Sequence, residues 1–451
     1  MILRFSRHVL RYTLLMIAYL FTQTPLVWFI QSYWRDEAFS VLLAQRSWLD
    51  IIQLTARDFS PPLYYLLLKV WMVLIGTSEV ATRSLSLVFY VLTVFVMVEF
   101  LVHVLHYPAR KAAILGILAG LFTPLLVYYA FETRGYTLLA FLSMLSIYAL
   151  CTHKWKMYVI AMVAGLYSHY LMCFMLVIHI FIYTRGLVGY HPKMPTLRLF
   201  ALPVVGIVLW LVFGFFMKYG QPASGFWIPH PTIFQFLTSP ALLLTGYDQG
   251  WGFAYDLVPL SVIITCIVGI PLFRDHYSTK VSWVLLLCSL GLVTSVFVVS
   301  TYGANSLFIS RYLILASPPL VLLLIIQLHK FKGIFQIIWV LALLISLWQY
   351  QSTNIAKRHK ENIGQRIEIL KQTAQTTDYL FVTSELDYHI AQVYWFNQDR
   401  VRIIGMKYED IPQYVGKVLI PRSAIVTTNP CISTCTVYIL DQSRLIHTWI
   451  R

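Results

Sequence analysis

Two adjacent carboxylates, Asp36 and Glu37, sit in the segment Tyr33-Trp34-Arg35-Asp36-Glu37-Ala38-Phe39-Ser40. A carboxylate can take a proton from a hydroxyl or orient it, which is acid–base work. A third, Asp58, follows in Arg57-Asp58-Phe59-Ser60-Pro61-Pro62-Leu63-Tyr64-Tyr65, with Lys69 a few residues on. Farther along come Glu132-Thr133-Arg134-Gly135-Tyr136, Ser168-His169-Tyr170 and Arg311-Tyr312. A guanidinium holds phosphate through two parallel hydrogen bonds, so Arg134 and Arg311 are candidates for binding an anion. Each group also has a plainer reading. Asp commonly opens a helix, and a lone Arg beside Glu132 can pair with it or snorkel. His169 can simply pack, and Arg311-Tyr312 can anchor a helix mouth at an interface.

The chain that must position these groups has 451 residues, of which 59% are apolar and 12% charged, with a net charge of +15. A disordered chain would be poor in apolar residues, and a soluble enzyme would need more surface charge. Aromatic residues make up 16% and include 13 Trp, as expected of repeated contact with lipid headgroups. These features indicate a polytopic membrane protein. Residues 351–451 carry 12 basic and 9 acidic residues, whereas the first 350 carry 22 and 10. The break near Gln351 divides a membrane body, 1–350, from a soluble segment, 351–451. The body's excess of positive charge is explained by loop topology, and no nucleic acid partner is implied.

A span needs roughly 20 apolar residues. Eleven runs qualify approximately, at 12–31, 82–105, 112–130, 136–152, 156–168, 170–184, 199–217, 257–273, 281–301, 312–329 and 333–350. The first is longer than a signal core and no small-residue cleavage site follows it, so it reads as an anchor. With a cytoplasmic N-terminus, 14 of the body's 22 basic residues fall in inner loops and eight of its ten acids fall outside. That asymmetry supports the orientation. An odd helix count then places the C-terminal segment on the extracytoplasmic side. Lys69 lies in a short apolar helix, 62–76, read as lying along the outer interface, since a span there would invert every later loop. The outer loop near 218–256 contains Trp227, Tyr247-Asp248 and Trp251, suited to sugar rings or to headgroups.

Cys431 and Cys435 lie in the tail, where an oxidising compartment would permit a disulfide between them, and Cys151, Cys173, Cys266 and Cys288 sit singly in apolar runs. The tail alternates strands at 378–384, 400–404, 424–428 and 437–441 with helices at 385–396 and 409–416, which is a small α/β domain. It has no glycine-rich phosphate loop and no nucleophile motif. A lid, an acceptor contact or plain capping of the membrane body are its possible roles.

The sequence resembles the membrane glycosyltransferases of the GT-C fold, in the glycosyltransferase family 39 and protein-mannosyltransferase-like branch. The matching residues are Asp36-Glu37-Ala38-Phe39-Ser40, Asp58 with Pro61-Pro62-Leu63-Tyr64-Tyr65-Leu66, Gly76, Ser78-Glu79 and Arg83. Glu132-Thr133-Arg134-Gly135-Tyr136, Ser168-His169-Tyr170, and Arg311-Tyr312 before Pro318-Pro319 follow in the family's order. Relatives commonly carry His before the proline pair, where this chain has Ser60. The resemblance implies an all-α bundle of about eleven transmembrane helices with a catalytic loop at 32–80.

It also implies a sugar donor carried on polyprenyl phosphate and a lipid, glycan or protein acceptor, with the sugar passing to an acceptor hydroxyl at the outer face. Asp36 is then the expected general base, with Asp58 and Glu37 as alternates, and Arg134 the expected phosphate clamp. Glu132, Tyr136, Lys69, Tyr64, His169, Arg311 and Tyr312 are the other expected substrate contacts. A monophosphate leaving group held by Arg requires no metal or cofactor; in relatives that bind a metal, Asp36, Glu37 and His169 would be the candidate ligands. A transporter or flippase of lipid-linked saccharides is the rival reading. It would tend to show charges in mid-span and internal repeats, whereas here the charges cluster at the outer mouth with few inside spans and no repeat is evident.

Overall fold

The computed structural model describes residues 22–58, 60–188, 197–218, 227–246, 255–274, 279–427, 435–441 and 446–448. The first half of the first expected span, and Tyr247, Asp248, Trp251 and Cys431, lie outside these residues. After a single 3-10 turn at Pro25–Phe29 come α1 (Arg35–Gln45), α2 (Trp48–Arg57), α3 (Leu63–Ile75) and α4 (Glu79–His103). Then follow α5 (Ala109–Leu121), α6 (Pro124–Tyr129), α7 (Tyr136–Cys151), α8 (Trp155–Leu166), α9 (Met172–Thr184) and α10 (Ala201–Lys218). The helical body continues with α11 (Ile233–Leu237), α12 (Ser239–Thr245) and α13 (Leu257–Arg274). It closes with α14 (Lys280–Tyr302, containing a π turn at Leu287–Gly291), α15 (Ser317–Leu328) and α16 (Gly333–Lys357).

Among the described residues, four helices at the expected spans are long and apolar enough to cross a membrane on their own: α4, α10, α14 and α16. At other described runs the apolar helices are shorter, as in α7, α8 and α9 and the stretches Leu257–Leu272 and Leu313–Leu328. The run at 112–130 is broken at Phe122-Thr123, where Pro124 starts a new helix. Apolar character alone does not separate a span from a helix buried among other helices, and α7 is apolar on every side because it is enclosed on nearly every side.

Local chemistry sets the ends of the loop helices. Ser47 caps α2 by accepting the Asp50 N–H at 3.1 Å, and Ser78 caps α4 by accepting that of Ala81 at 3.2 Å. Gly76 ends α3 at φ +115°, a conformation open only to glycine at little cost.

Beyond α16, which runs past Gln351 to Lys357, the chain forms α17 (Ile363–Leu370), β1 (Tyr379–Val382), α18 (Glu385–Tyr394), β2 (Val401–Ile404), β3 (Ile425–Val426), β4 (Val437–Leu440) and β5 (Ile446–Thr448). The sheet order is β3-β2-β1-β4-β5. The first four strands are parallel, with Leu380 opposite Val401 and Tyr379 opposite Val437, and β5 pairs antiparallel with β4. β5 is an addition to the four expected strands. The helix expected at 409–416 is instead two single 3-10 turns, Tyr408–Asp410 and Gln413–Val415. Pro412 stands between them, and Gly416 at φ +80° ends the second. Cys435 is disulfide-bonded.

The sheet unit is built onto the body by a shared core. Ala38, Leu42, Ile51, Tyr64 and Leu68 of the loop helices pack in one cluster with Leu380, Tyr388, Ile390, Val401 and Ile403. Polar contacts lock the join: the Tyr394 hydroxyl accepts the Tyr33 N–H at 2.8 Å and donates to Glu79 Oε1 at 2.6 Å. Gly416 lies so close to Phe39 that a Cβ there would sit 2.4 Å from its ring.

Candidate active site

Asp36 and Glu37 occupy the first turn of α1, where negative charge suits the helix N-terminus. Successive residues on a helix point about 100° apart, so the two carboxylates part company. Glu37 turns inward. Its oxygens accept from Arg83 Nε and Nη2, both at 2.8 Å, and from the Thr133 N–H at 2.9 Å. Lys360 Nζ stands 3.0 Å from Oε2, and the side chains of Glu37 and Arg83 are both 0% exposed. Arg83 also donates to the carbonyls of Phe29, Gln31 and Ser32. Burial pushes the Glu37 carboxyl up, but Arg83 and Lys360 outweigh it and hold it at about 2. Lys360 is itself pushed down to about 8, because burial and repulsion from Arg83 together exceed the pull of Glu37. Glu37 is thus a tie between α1, α4, the 132–134 turn and the segment leaving α16, and it does not line the pocket that Asp36 faces.

Asp36 turns outward, its side chain 23% exposed, into a cavity between the helical body and the sheet unit. Arg35 Nε lies 3.5 Å from one of its oxygens and Arg311 Nη1 lies 3.6 Å from the other. Burial raises its carboxyl, yet Arg134, Arg311 and Arg35 together bring it below the usual range. Arg134 follows the tight turn at Glu132–Arg134 and is held over the Tyr136 ring at 5.6 Å. Its Nη1 donates to Ser40 Oγ, the Tyr65 hydroxyl and the Asp36 carbonyl at 3.3–3.4 Å. Arg311 stacks on Trp227 at 4.7 Å. Asp58, buried at the end of α2, and Ser60 complete the body side of the wall. Three guanidinium groups face two carboxylates, leaving the cavity net positive and suited to an anion.

Leu386, Tyr414, Val415 and Gly416 of the sheet unit form the roof. A side chamber runs from Arg134 and Tyr312 to Tyr64, Ser168 and His169. There the Tyr64 hydroxyl lies 3.2 Å from Ser86 Oγ. His169 accepts the Leu171 N–H and packs 4.8 Å from the Tyr312 ring. Burial, with Arg134 and Arg311 nearby, pushes the His169 imidazole down to about 3, so it is neutral.

Asp36, Asp58, Arg134, Tyr136, Arg311 and Tyr312 therefore share one cavity, with Tyr64 and His169 in its side chamber. Glu132 lines an adjoining cavity. Lys69 is not brought to either: it donates to the Arg46 carbonyl at 2.7 Å and lies over Trp48. Among the described residues no three His, Cys, Asp or Glu side chains group to hold a metal, so Asp36, Glu37 and His169 are not assembled as a ligand set. Sequence reasoning missed Lys360, the Trp227–Arg311 stack as a wall of the cavity, and the roof. No sequence spacing links Trp227 to Arg311 or Lys360 to Glu37, and the roof residues are unremarkable in type.

No family model matches this chain, and no curated protein matches it. Among solved structures it is similar to ArnT from Cupriavidus metallidurans. In the apo state the likeness covers 97% of this chain and 93% of that one, with a TM-score of 0.61 and 13% identity. In the structure bound to undecaprenyl phosphate it covers 95% and 93%, with a TM-score of 0.57 and 13% identity. The likeness shows the GT-C fold, carried by apolar membrane-type helices with a small, mostly parallel C-terminal sheet.

Proposed function

We propose that this protein is a membrane glycosyltransferase that moves a sugar from a polyprenyl-phosphate donor to an acceptor hydroxyl at the outer face of the membrane. The observation that carries the reading is one carboxylate, Asp36, reaching a net-positive cavity walled by Arg35, Arg134 and Arg311. The structural neighbour crystallised with undecaprenyl phosphate adds support for a lipid phosphate at such a site. The motif order favours the family 39 and protein-mannosyltransferase-like branch. In this reading the body, 1–350, carries the catalytic loop 32–80 on the extracytoplasmic side, with the N-terminus cytoplasmic and the domain 351–451 roofing the site from outside.

The donor phosphate lies between Arg134 and Arg311. The acceptor oxygen attacks the anomeric carbon from the opposite side, and the bond from that carbon to the phosphate oxygen breaks. Its electron pair leaves with the phosphate, whose added charge the two guanidinium groups stabilise. The hydroxyl proton passes to Asp36, and the anomeric configuration inverts. A carboxyl held below the usual range is a weak base. Attack on a carbon of oxocarbenium character needs proton removal only late, and phosphate binding draws the guanidinium groups away from Asp36, which raises its basicity.

Asp36→Asn keeps shape and removes the base. Transfer from lipid-linked sugars in membranes should fall by roughly 10²–10⁴, with undecaprenyl phosphate still bound. Unchanged transfer in a folded variant removes Asp36 from the chemistry.

A further inference from the structure

Beside the Asp36 cavity lies a second, roomier one, sharing Arg35, Arg311 and Leu386 with it. Its walls include Trp34, Tyr129, Glu132, Arg311 and Lys360. Three of these carry buried polar atoms with no hydrogen-bond partner: both carboxyl oxygens of Glu132, Trp34 Nε1 and Arg311 Nε. Glu132 is 1% exposed, so bulk solvent does not serve it. Buried polar groups are normally paired, and unpaired ones gathered on one cavity await an occupant. Asp36 stands at the junction, because Arg35 and Arg311, the shared walls, are its two ion partners.

We propose that this second cavity is the acceptor subsite and that it takes a neutral saccharide. The inference rests on the glycosyltransferase reading of the Asp36 cavity and adds the acceptor's chemical class. A sugar hydroxyl both donates and accepts, so it satisfies the Glu132 carboxyl and the Trp34 and Arg311 N–H groups together. The Trp34 and Tyr129 rings offer apolar surface for the C–H faces of a pyranose. An anionic ligand would meet Glu361 and Asp387, and a cationic one would meet Arg35, Arg311, Arg358 and Lys360, while Glu132, held toward its neutral form by burial, offers hydrogen bonds rather than charge. A mixed-charge wall of this kind favours an uncharged polyol. A sugar seated there presents a hydroxyl to Asp36 across the shared wall, while the donor phosphate occupies the Arg134 side. The acceptor is therefore a glycan or a sugar-headed lipid, and a protein hydroxyl does not use the Glu132 contacts.

The test uses the full chain in lipid nanodiscs, with saturation-transfer NMR of methyl α-D-glucopyranoside, methyl α-D-mannopyranoside and N-acetylthreonine amide. Undecaprenyl phosphate binding is measured separately by native mass spectrometry. At least one glycoside should receive saturation from the wild type. Glu132→Leu and Trp34→Phe should each weaken its binding roughly ten-fold, the scale of one lost hydrogen bond to a polar or charged group, with undecaprenyl phosphate binding kept. Glu132→Leu should also leave the protein at least as heat-resistant, because it removes an unpaired buried carboxyl. Glycoside binding unchanged in Trp34→Phe, saturation of the threonine amide alone, or a marked loss of heat resistance in Glu132→Leu overturns the proposal. Undecaprenyl phosphate binding unchanged by Arg134→Ala would instead overturn the donor reading.

Discussion

Replacing Glu37 with Gln keeps the side-chain volume and removes one charge from a buried set. Glu37 accepts from Arg83 twice, from Thr133 once and pairs with Lys360, all within 3.0 Å and with the Glu37 and Arg83 side chains fully enclosed. The glutamine amide would face a guanidinium, an ammonium and a backbone N–H with only one acceptor oxygen. Two cations would then lie buried with no ionised partner, since burial holds the neighbouring Glu132 toward its neutral form. Removing one partner of a buried ion pair costs about 3–5 kcal/mol. At 1.4 kcal/mol per factor of ten, the seated loop should weaken against its detached form by roughly two to four orders of magnitude. Hydrogen exchange is the direct assay: amides of α1, of the 132–134 turn and of residues 358–362 should lose protection together, while α14 should not change. Exchange unchanged at all three would refute the tie. The pH sign follows from the same groups. Glu37 is held at about 2 against an ordinary 4.5, so its stabilisation is complete above 4.5 and is lost as pH falls toward 2. Lys360 is lowered to about 8 from 10.5; between those values the unfolded chain binds the extra proton, so the Lys360 contribution improves as pH rises through that window.

Two further outcomes are expected. Arg134→Lys keeps the charge and loses the planar fork that Ser40, Tyr65 and Asp36 orient, so undecaprenyl phosphate binding, read by native mass spectrometry, should weaken about 10-fold or more; equal affinity would remove the clamp. Gly416→Val places a branched side chain at φ +80° and against the Phe39 ring, where even a Cβ would lie 2.4 Å away. The roof should lift at a cost of about 1–3 kcal/mol, seen as faster proteolysis within the sheet unit and loss of transfer; an unaltered cleavage pattern would show the roof to be dispensable.

Local patterns in the chain were enough to place the helical runs, the alternation of strand and helix in the tail and the residue types of the site. Apolar stretches and turn residues act locally, so α4, α10 and α16 and strands β1, β2 and β4 fall where those patterns place them. The Pro61-Pro62 and Gly76 boundaries of α3 were legible for the same reason. The sequence reading put Asp36 first and kept Glu37 as an alternate, but it could not decide which of the two neighbouring carboxylates faces the cavity. Asp36 and Glu37 are chemically alike, and only the packing of α1 against α4 turns one toward the cavity and the other onto Arg83. Lys69 had the right charge, yet its helix face points it to the Arg46 carbonyl. Lys360 and the Val415-Gly416 roof reach the site from the far end of the chain, and the unpartnered Glu132 becomes visible only once its neighbours are in place. Local propensity is encoded over a few residues, whereas the direction of a side chain and the company it keeps are properties of the whole packed assembly.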